Sequence, residues 1–252
     1  MKKVITFALQ KGGVGKTSIS VSVAVALAKN NYRVLLIDSD PQGNATTWLD
    51  IQEMNLELAD VLKRKCSIKE AILPTKVENL SIIPTAALGS ELRVYSKTEA
   101  NERPMILRRI LREIKDDFDY VIIDTSPAFG PLEESCLLAS DEAITVLNID
   151  EFSTDGLITF HTNIESLADR HDTDKVFMNK IILNGRDFRL SQQNDYVQKI
   201  TNSSDFKFYI IPVDQSFKKA QAVHYPIQFL TETKKETLSV ISQLANDILE
   251  EM

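Results

Sequence analysis

The sequence has few cysteines, no long apolar run and no excess of positive charge. Its 252 residues include two cysteines, Cys66 and Cys136, which form no CxxC pair and fit no disulfide framework. Two isolated cysteines are typical of a reducing, cytoplasmic compartment, where they serve as small buried side chains. No apolar run approaches the length of a transmembrane helix, and Gln10 and Lys11 interrupt the N-terminal apolar stretch before it reaches the length of a signal peptide.

The charge balance is negative, with 36 Asp and Glu against 29 Lys and Arg and a net charge of -7. This balance argues against a protein that binds nucleic acid over its whole surface, but it does not argue against a local basic patch. With 43% apolar residues, a chain of this length can build the core of one large domain, and a second domain is not required.

Short apolar runs alternate with helical patterns along the chain. The runs are continuous, which indicates strands covered on both faces. Strands are predicted at 3–9, 33–37, 79–83, 119–123, 142–149, 180–183 and 207–211, and helices at 16–30, 104–116, 153–169, 191–202 and 234–250, with short helices in the less regular part, 44–100. The alternation predicts a single α/β domain over residues 1–252, with a mostly parallel, twisted sheet and helices on both faces.

A glycine-rich loop joins the first predicted strand to the first predicted helix. It reads Lys11-Gly12-Gly13-Val14-Gly15-Lys16-Thr17. Glycines let backbone N–H groups turn toward an anion, and the N-terminus of the helix adds positive potential. In such a P-loop, Lys16 would reach the β- and γ-phosphates of a nucleotide, and the Thr17 hydroxyl would ligate Mg²⁺. A glycine-rich turn with incidental lysines is the alternative.

Three acids follow two of the predicted strands. Asp38 and Asp40 come just after the strand at 33–37, and Asp124 ends the run at 119–123. The carboxyl ends of parallel strands are where α/β sheets bind ligands, and acids spaced in this way can serve Mg²⁺ and a water molecule. Helix capping or a turn around Pro41 is the alternative for the first two acids, and it is compatible with catalysis.

The second lysine of the loop, Lys11, makes it resemble the deviant Walker A signature K-G-G-x-x-K-[ST] of the ParA/MinD superfamily. The resemblance implies a P-loop NTPase that hydrolyses ATP with Mg²⁺, in which Lys11 crosses a dimer interface to the nucleotide of the other subunit. It implies catalytic roles for Lys16 and Asp40, and it implies that Asp38 and Asp124 help Thr17 to hold Mg²⁺, directly or through water. The implied nucleotide-binding residues of the loop are Lys11, Gly12, Gly13, Val14, Gly15, Lys16, Thr17 and Ser18.

Later segments extend the resemblance. The segment IILNGR puts Asn184 where the family reads the adenine ring, and YIIPVD puts Pro212 and Asp214 where the family encloses the base. A capping asparagine and a loop proline are the alternatives. One departure is the Ser126-Pro127 pair after Asp124, where family members often have two prolines.

The segment DSDPQGNAT, residues 38–46, resembles the ParA/Soj partition branch more than the MinD branch. This resemblance implies a switch for plasmid or chromosome partition that forms an ATP-dependent homodimer, binds DNA non-specifically and releases it when a ParB-like, centromere-binding partner stimulates hydrolysis. We expect a cytoplasmic protein that associates with the nucleoid when ATP is bound. Because the chain starts only a few residues before its first strand, we expect no N-terminal helix-turn-helix domain.

Cationic residues outnumber acidic ones between 185 and 235, which permits a basic patch for DNA. The candidate DNA contacts are Arg186, Arg189, Lys218 and Lys219. Ser216 stands where small family members carry an arginine. Solvated surface cations are the alternative for any one of them.

Three other functions are open. A MinD-like membrane-positioning ATPase needs a basic amphipathic C-terminal helix, but the tail SQLANDILEEM is acidic and predicts a helix packed on the domain, so no membrane partner is expected. An iron–sulfur reductase needs interface cysteines that ligate a shared cluster, and the sequence around Cys66 does not match such a ligand site. The third is a ParA-like ATPase that positions a protein cargo.

Overall fold

A parallel sheet runs through the described part of this computed structural model, which comprises residues 1–9, 12–149, 153–174, 176–202 and 206–250. Its strands are β1 (Lys3–Phe7), β2 (Val34–Ser39), β3 (Leu73–Pro74), β4 (Leu80–Ile83), β5 (Tyr120–Thr125), β6 (Glu142–Asn148), β7 (Phe177–Arg186) and β8 (Lys207–Pro212). The order across the sheet is β3-β4-β2-β5-β1-β6-β7-β8, and every neighbouring pair is parallel except β3 with β4.

All seven predicted strands are confirmed. The sequence analysis missed β3, because its two residues are too short to form a recognisable apolar run. The strand register also decides where the acids lie, since Asp38 at the end of β2 is paired with Asp124 at the end of β5. The two acids are therefore neighbours at the carboxyl edge of the sheet, where the sequence analysis expects a ligand.

Eleven helices surround the sheet within the described residues. They are α1 (Lys16–Lys29), α2 (Asn44–Trp48), α3 (Leu58–Leu62), α4 (Ile68–Ala71), α5 (Glu91–Thr98), α6 (Ile106–Leu111), α7 (Pro131–Leu138), α8 (Ser153–His171), α9 (Ser191–Asn202), α10 (Ser216–Ala222) and α11 (Lys235–Glu250), with 3₁₀ turns at Ala100–Glu102, Arg112–Ile114 and Ile227–Phe229. The five long predictions and the short helices of 44–100 are confirmed, although the helix predicted at 104–116 is split into α6 and a 3₁₀ turn. Both α7 and α10 were missed.

The core has two layers because side chains of a strand alternate between the faces of a sheet. In β2, Val34 and Leu36 pack into one cluster, and Leu35 and Ile37 pack into the other. The first cluster holds the apolar residues of α1 and α11, the second holds those of α3 and α6, and α7 contributes to both. Helices therefore cover both faces of the sheet, as predicted.

The C-terminal helix α11 packs on the domain, as the acidic tail predicted. Its buried residues, including Ile241, Leu244 and Ile248, face inward, and the helix contacts α1 and β8. The Tyr209 hydroxyl of β8 donates a hydrogen bond to Asp247 at 2.5 Å. Among the residues that the structure describes, no helix combines the length and the apolar character needed to cross a membrane.

Candidate functional site

A cavity of about 620 Å³ opens at the carboxyl edge of the sheet, a volume that suits a small-molecule ligand. The loop between β1 and α1 forms one wall, and the segment after β2 forms another. The ends of β5, β7 and β8 and one face of α10 complete it. Of the site residues that the sequence analysis proposes for any role, eleven line this cavity: Gly13, Val14, Gly15, Lys16, Thr17, Ser18, Asp40, Asn184, Pro212, Asp214 and Lys218.

The glycine loop depends on residues without a side chain. Gly13 and Gly15 have φ angles of 73° and 95°, in the left-handed region that favours glycine. A Cβ on Gly15 would lie 2.5 Å from Nδ2 of Asn184. That same nitrogen donates a hydrogen bond to the Val14 carbonyl at 2.9 Å. Asn184 therefore contacts the loop itself, which the sequence did not predict. Gln10 and Lys11 lie outside the described residues, so the role of Lys11 stays a prediction.

Lys16 is buried, with 6% of its surface exposed. Its ammonium donates a hydrogen bond to the Leu9 carbonyl at 3.2 Å. Burial lowers the pKa of Lys16, while the charges of Asp124, Asp40 and Glu133 oppose that shift. The lysine therefore lies among acids at the inner end of the cavity. Glu133, at the start of α7, was missed because the helix that carries it has no strong periodic signal.

Asp124 is fully buried and lies beside the start of α1. Its Oδ1 accepts a hydrogen bond from Ser20 at 2.9 Å, while its Oδ2 has no hydrogen-bond partner among the described residues. Burial raises the pKa of Asp124 to about 7, and the nearby hydroxyls of Thr17 and Ser20 oppose that shift. A buried carboxylate oxygen without a partner is costly. Beside a threonine hydroxyl, it is an oxygen donor set that fits Mg²⁺.

Asp38 and Asp40 have different surroundings. Oδ2 of Asp38 accepts hydrogen bonds from the Thr46 hydroxyl and amide at 2.6 and 2.8 Å, and Oδ1 accepts the Asp40 amide at 3.3 Å. Burial and the neighbouring charge of Asp124 raise the pKa of Asp38 to about 8. Asp40 lines the cavity, and burial raises its pKa as well. Asp40 therefore faces the ligand space, whereas Asp38 holds the segment that follows β2.

A threonine pair supports Asp38 from outside the motif. The Thr85 amide donates to the Thr46 hydroxyl at 2.9 Å, and the Thr85 hydroxyl donates to the Asp38 carbonyl at 2.6 Å. Thr85 follows β4, which lies beside β2 only in the folded sheet. No sequence signal could have found this contact.

Asn184, Pro212 and Asp214 all line the cavity, and their contact with the adenine base stays a prediction. The Asp214 carboxylate is nevertheless committed to hydrogen bonds within the fold. Its Oδ1 accepts from the Ser216 amide and hydroxyl at 2.9 and 2.6 Å, and its Oδ2 accepts from the Thr237 hydroxyl at 2.7 Å. The side chain of Asp214 thus anchors the starts of α10 and α11.

The four candidate DNA contacts do not form one patch of unpaired cations. Arg189 lies 2.6 Å from Asp187 and Lys219 lies 3.3 Å from Glu232. The guanidinium of Arg186 donates to Asn194 and lies 4.9 Å from the centre of the Phe188 ring. Lys218 has no ion-pair partner among the described residues, and it lines the cavity.

Trp48 and Cys136 are buried in the fold, and Cys66 is half-buried. The indole N–H of Trp48 donates to the Tyr225 carbonyl at 3.0 Å. Both cysteines are free thiols.

Comparison with known proteins agrees with this geometry. Residues 2–178 match a family described as an AAA domain. The chain is 31% identical over 254 residues to the sporulation initiation inhibitor protein Soj of Bacillus subtilis strain 168, and the alignment covers 98% of each chain. It is 29% identical over 229 residues to the chromosome-partitioning ATPase Soj of Treponema pallidum strain Nichols, covering 90% of this chain and 89% of the other.

The fold is also similar to a solved structure. That structure is a candidate plasmid partition protein of Borrelia burgdorferi B31 bound to AMPPNP. The TM-score is 0.84 at 21% identity, and the match covers 100% of both chains.

Proposed function

The chain belongs to the ParA/MinD type of P-loop ATPases, and from that premise we propose that it is an ATP-hydrolysing switch for plasmid or chromosome partition. The single observation that carries this proposal is the inner end of the cavity. There Lys16 and Thr17 follow the glycine loop, and Asp124 beside Thr17 has a buried oxygen with no hydrogen-bond partner in the part of the chain that the structure describes. ATP and Mg²⁺ are the cofactors that match this set, in line with the AMPPNP bound by the Borrelia protein.

Residues of this chain divide the work of the site. The loop amides and the ammonium of Lys16 bind the phosphates, while Thr17 and Asp124 hold Mg²⁺, with Asp38 supporting them through water. When bound, Mg²⁺ offsets the charge of the phosphate oxygens. Asp40 faces the ligand space with a raised pKa, so it is suited to orient the attacking water and to accept its proton. Asn184, Pro212 and the backbone at Asp214 enclose the base.

Dimerisation belongs to the proposal because the loop signature that this chain resembles places a cation from a second subunit at the nucleotide. We propose that Lys11 of a second copy supplies it across an ATP-dependent interface, where a positive charge stabilises the transition state. Lys11→Ala should then retain nucleotide binding and lose hydrolysis. A variant that hydrolyses ATP at the wild-type rate would remove this part of the proposal.

We propose that the ATP-bound dimer binds DNA non-specifically, and that a ParB-like protein is the partner that stimulates hydrolysis. The names of both Soj relatives, one of them a chromosome-partitioning ATPase, support this choice. A membrane role finds no support, because the described residues of α11 turn their apolar side chains into the domain. Nucleoid association would follow from DNA binding in the ATP state.

The decisive experiment measures DNA binding with ATP, ADP and no nucleotide at several salt concentrations. We expect binding with ATP only, weakening as salt rises because counterion release drives it. Lys16→Ala is the control, since it should bind DNA in none of the three states. ATP-dependent dimers that bind no DNA would point to a protein cargo, and binding that ignores the nucleotide would remove the partition function.

A further inference from the structure

Two adjacent lysines of α10 lie in different surroundings. Lys218 lines the nucleotide cavity and has no ion-pair partner among the described residues. Lys219 is not among the lining residues, and its ammonium lies 3.3 Å from Glu232. The sequence grouped them as one pair of cations, but the helix separates them by about 100° around its axis.

The face of α10 that carries Lys218 is turned toward the ligand space, and it is polar apart from Phe217, which also lines the cavity. Gln215, Lys218 and Gln221 recur every three residues, a spacing that brings side chains together on one side of a helix. All three line the cavity. Ser216 and Ala220 are buried on the opposite side. This pattern presents one ammonium and two amides to whatever the cavity binds.

The helix is fixed at both ends, so this face is held in place. The Asp214 carboxylate accepts hydrogen bonds from the amide and the hydroxyl of Ser216 at its start. Just beyond its end, Nδ1 of His224 lies 2.8 Å from the Thr47 carbonyl of α2. A side chain on a fixed element binds with less loss of conformational entropy than one on a free loop.

Charge favours an anion in front of Lys218. The acids that line the cavity are Asp40, which lies near Lys16, and Asp214, whose oxygens already accept hydrogen bonds. Neither forms an ion pair with Lys218 within the described part of the chain. An exposed ammonium in the wall of this cavity therefore keeps its charge available for the ligand.

We infer that Lys218 is a nucleotide-binding residue that interacts with the negative charge of the bound nucleoside di- or triphosphate, in place of a DNA contact. The inference rests on the proposed function, because it takes the cavity as the ATP site. It gives the site a second cation from this chain, carried by α10 and not by the glycine loop.

Matched substitutions of the two neighbours test the inference. The full chain with Lys218→Met, Lys218→Arg or Lys219→Met would be titrated with fluorescent ADP and ATP analogues in the presence of Mg²⁺. We expect Lys218→Met to weaken both affinities by about 3- to 10-fold, the range between an exposed ion pair and a charged hydrogen bond. Lys218→Arg should stay near wild type, and Lys219→Met should change affinity by less than about 2-fold. The deficit of Lys218→Met should shrink as salt rises.

Equal affinities for wild type and Lys218→Met would overturn the inference, and so would an equal loss in Lys219→Met. So would a Lys218→Met variant that binds nucleotide normally but loses DNA binding at saturating ATP. A wild-type protein that binds neither analogue would instead overturn the proposed function, so the two failures are distinguishable. Thermal unfolding of each variant without nucleotide checks that the fold is intact.

Discussion

Two buried acids lie at opposite edges of the sheet, on the two strands that flank β1, and they differ in how their charge is compensated. Glu142 begins β6 at the amino edge of the sheet. Its Oε1 accepts a hydrogen bond from Lys180 at 2.7 Å. Its Oε2 accepts no hydrogen bond among the described residues, but it lies 2.7 Å from the ammonium of Lys3 and forms an ion pair with it. Asp124 lies near the end of β5 at the carboxyl edge, and one of its oxygens has no partner among the described residues.

The difference teaches which edge of the sheet is built for stability and which for function. Burying a charge is costly unless nearby groups compensate for it. At Glu142 the chain supplies two cations itself. At Asp124 it leaves the compensation incomplete, and burial raises the pKa of the acid to about 7. A ligand that brings a cation can complete what the fold leaves open.

The largest expected effect comes from breaking the ion pairs of Glu142 at the amino edge of the sheet, here called the paired edge. Lys180→Met removes a fully buried ammonium and leaves Glu142 with Lys3 alone. We expect the free energy of unfolding to fall by about 3–5 kcal/mol, the cost of a buried charge that loses its partner. Urea denaturation measures it. Adding Glu142→Leu should restore much of the loss, and a single variant within about 1 kcal/mol of wild type would contradict the comparison.

At the carboxyl edge, here called the unpaired edge, removing the charge of Asp124 should not lower the free energy of unfolding. Asp124→Asn keeps an oxygen for the Ser20 hydroxyl and removes the poorly compensated charge. We expect ATP hydrolysis to fall by at least about 100-fold, or about 2.7 kcal/mol, because the Mg²⁺ site is lost. The free energy of unfolding should stay the same or rise. Phosphate release and urea denaturation, both on the same preparation, give the two values. A loss of stability as large as that of Lys180→Met would remove the distinction between the edges.

A smaller effect sharpens the comparison within the functional edge. Gly13→Ala and Gly15→Ala both place a side chain at positive φ, at a cost of about 1–2 kcal/mol. Only at Gly15 does the new Cβ meet Asn184, whereas nothing lies within 4 Å at Gly13. Gly15→Ala should therefore be the less stable of the two in thermal unfolding. Adding Asn184→Ala to both variants should reduce the difference between their unfolding temperatures. Equal unfolding temperatures of the two single variants would show that the Asn184 side chain moves aside at no measurable cost.

The smallest effect concerns Asp214, an acid at the functional edge whose oxygens are satisfied. Burial raises the pKa of Asp214, but hydrogen bonds from Ser216, Thr237 and the Lys234 amide outweigh it, so the net pKa lies below its usual value. An acid with a lowered folded-state pKa adds stability above the unfolded-state pKa of about 3.9, and this is lost as pH falls through the folded-state value.

Asp214→Asn should therefore reduce stability at pH 7 by about 1 kcal/mol or less, since the group is partly exposed. The gap to wild type should close as pH falls below about 4. Urea denaturation from pH 3 to 7 tests this, and a gap that is constant across the range would contradict it.

The fold was largely readable from local patterns. Continuous apolar runs located seven strands, and the helix predicted at 191–202 has those bounds in α9. The P-loop was readable for the same reason, because a strand, a glycine-rich turn and a helix are consecutive in the chain. Short elements with little periodicity, such as β3 and α10, carry no comparable signal.

The partners of the site residues were not readable. Asp38 depends on Thr85 and the glycine loop depends on Asn184, and in both cases the contact joins separate strands or loops. The direction of Lys218 was equally hidden, because a seven-residue helix with two adjacent lysines does not reveal which one faces a cavity.

The sequence by itself determined the order of strands and helices, the place of the glycine loop and the acids at strand ends, since each of these follows from residues close together in the chain. Only the tertiary structure decided which charges are paired. Parallel neighbours such as β1 and β5 are joined by long crossovers, so the groups that meet at either edge lie far apart in sequence. Their pairing depends on the packed sheet, where burial makes a missing partner costly.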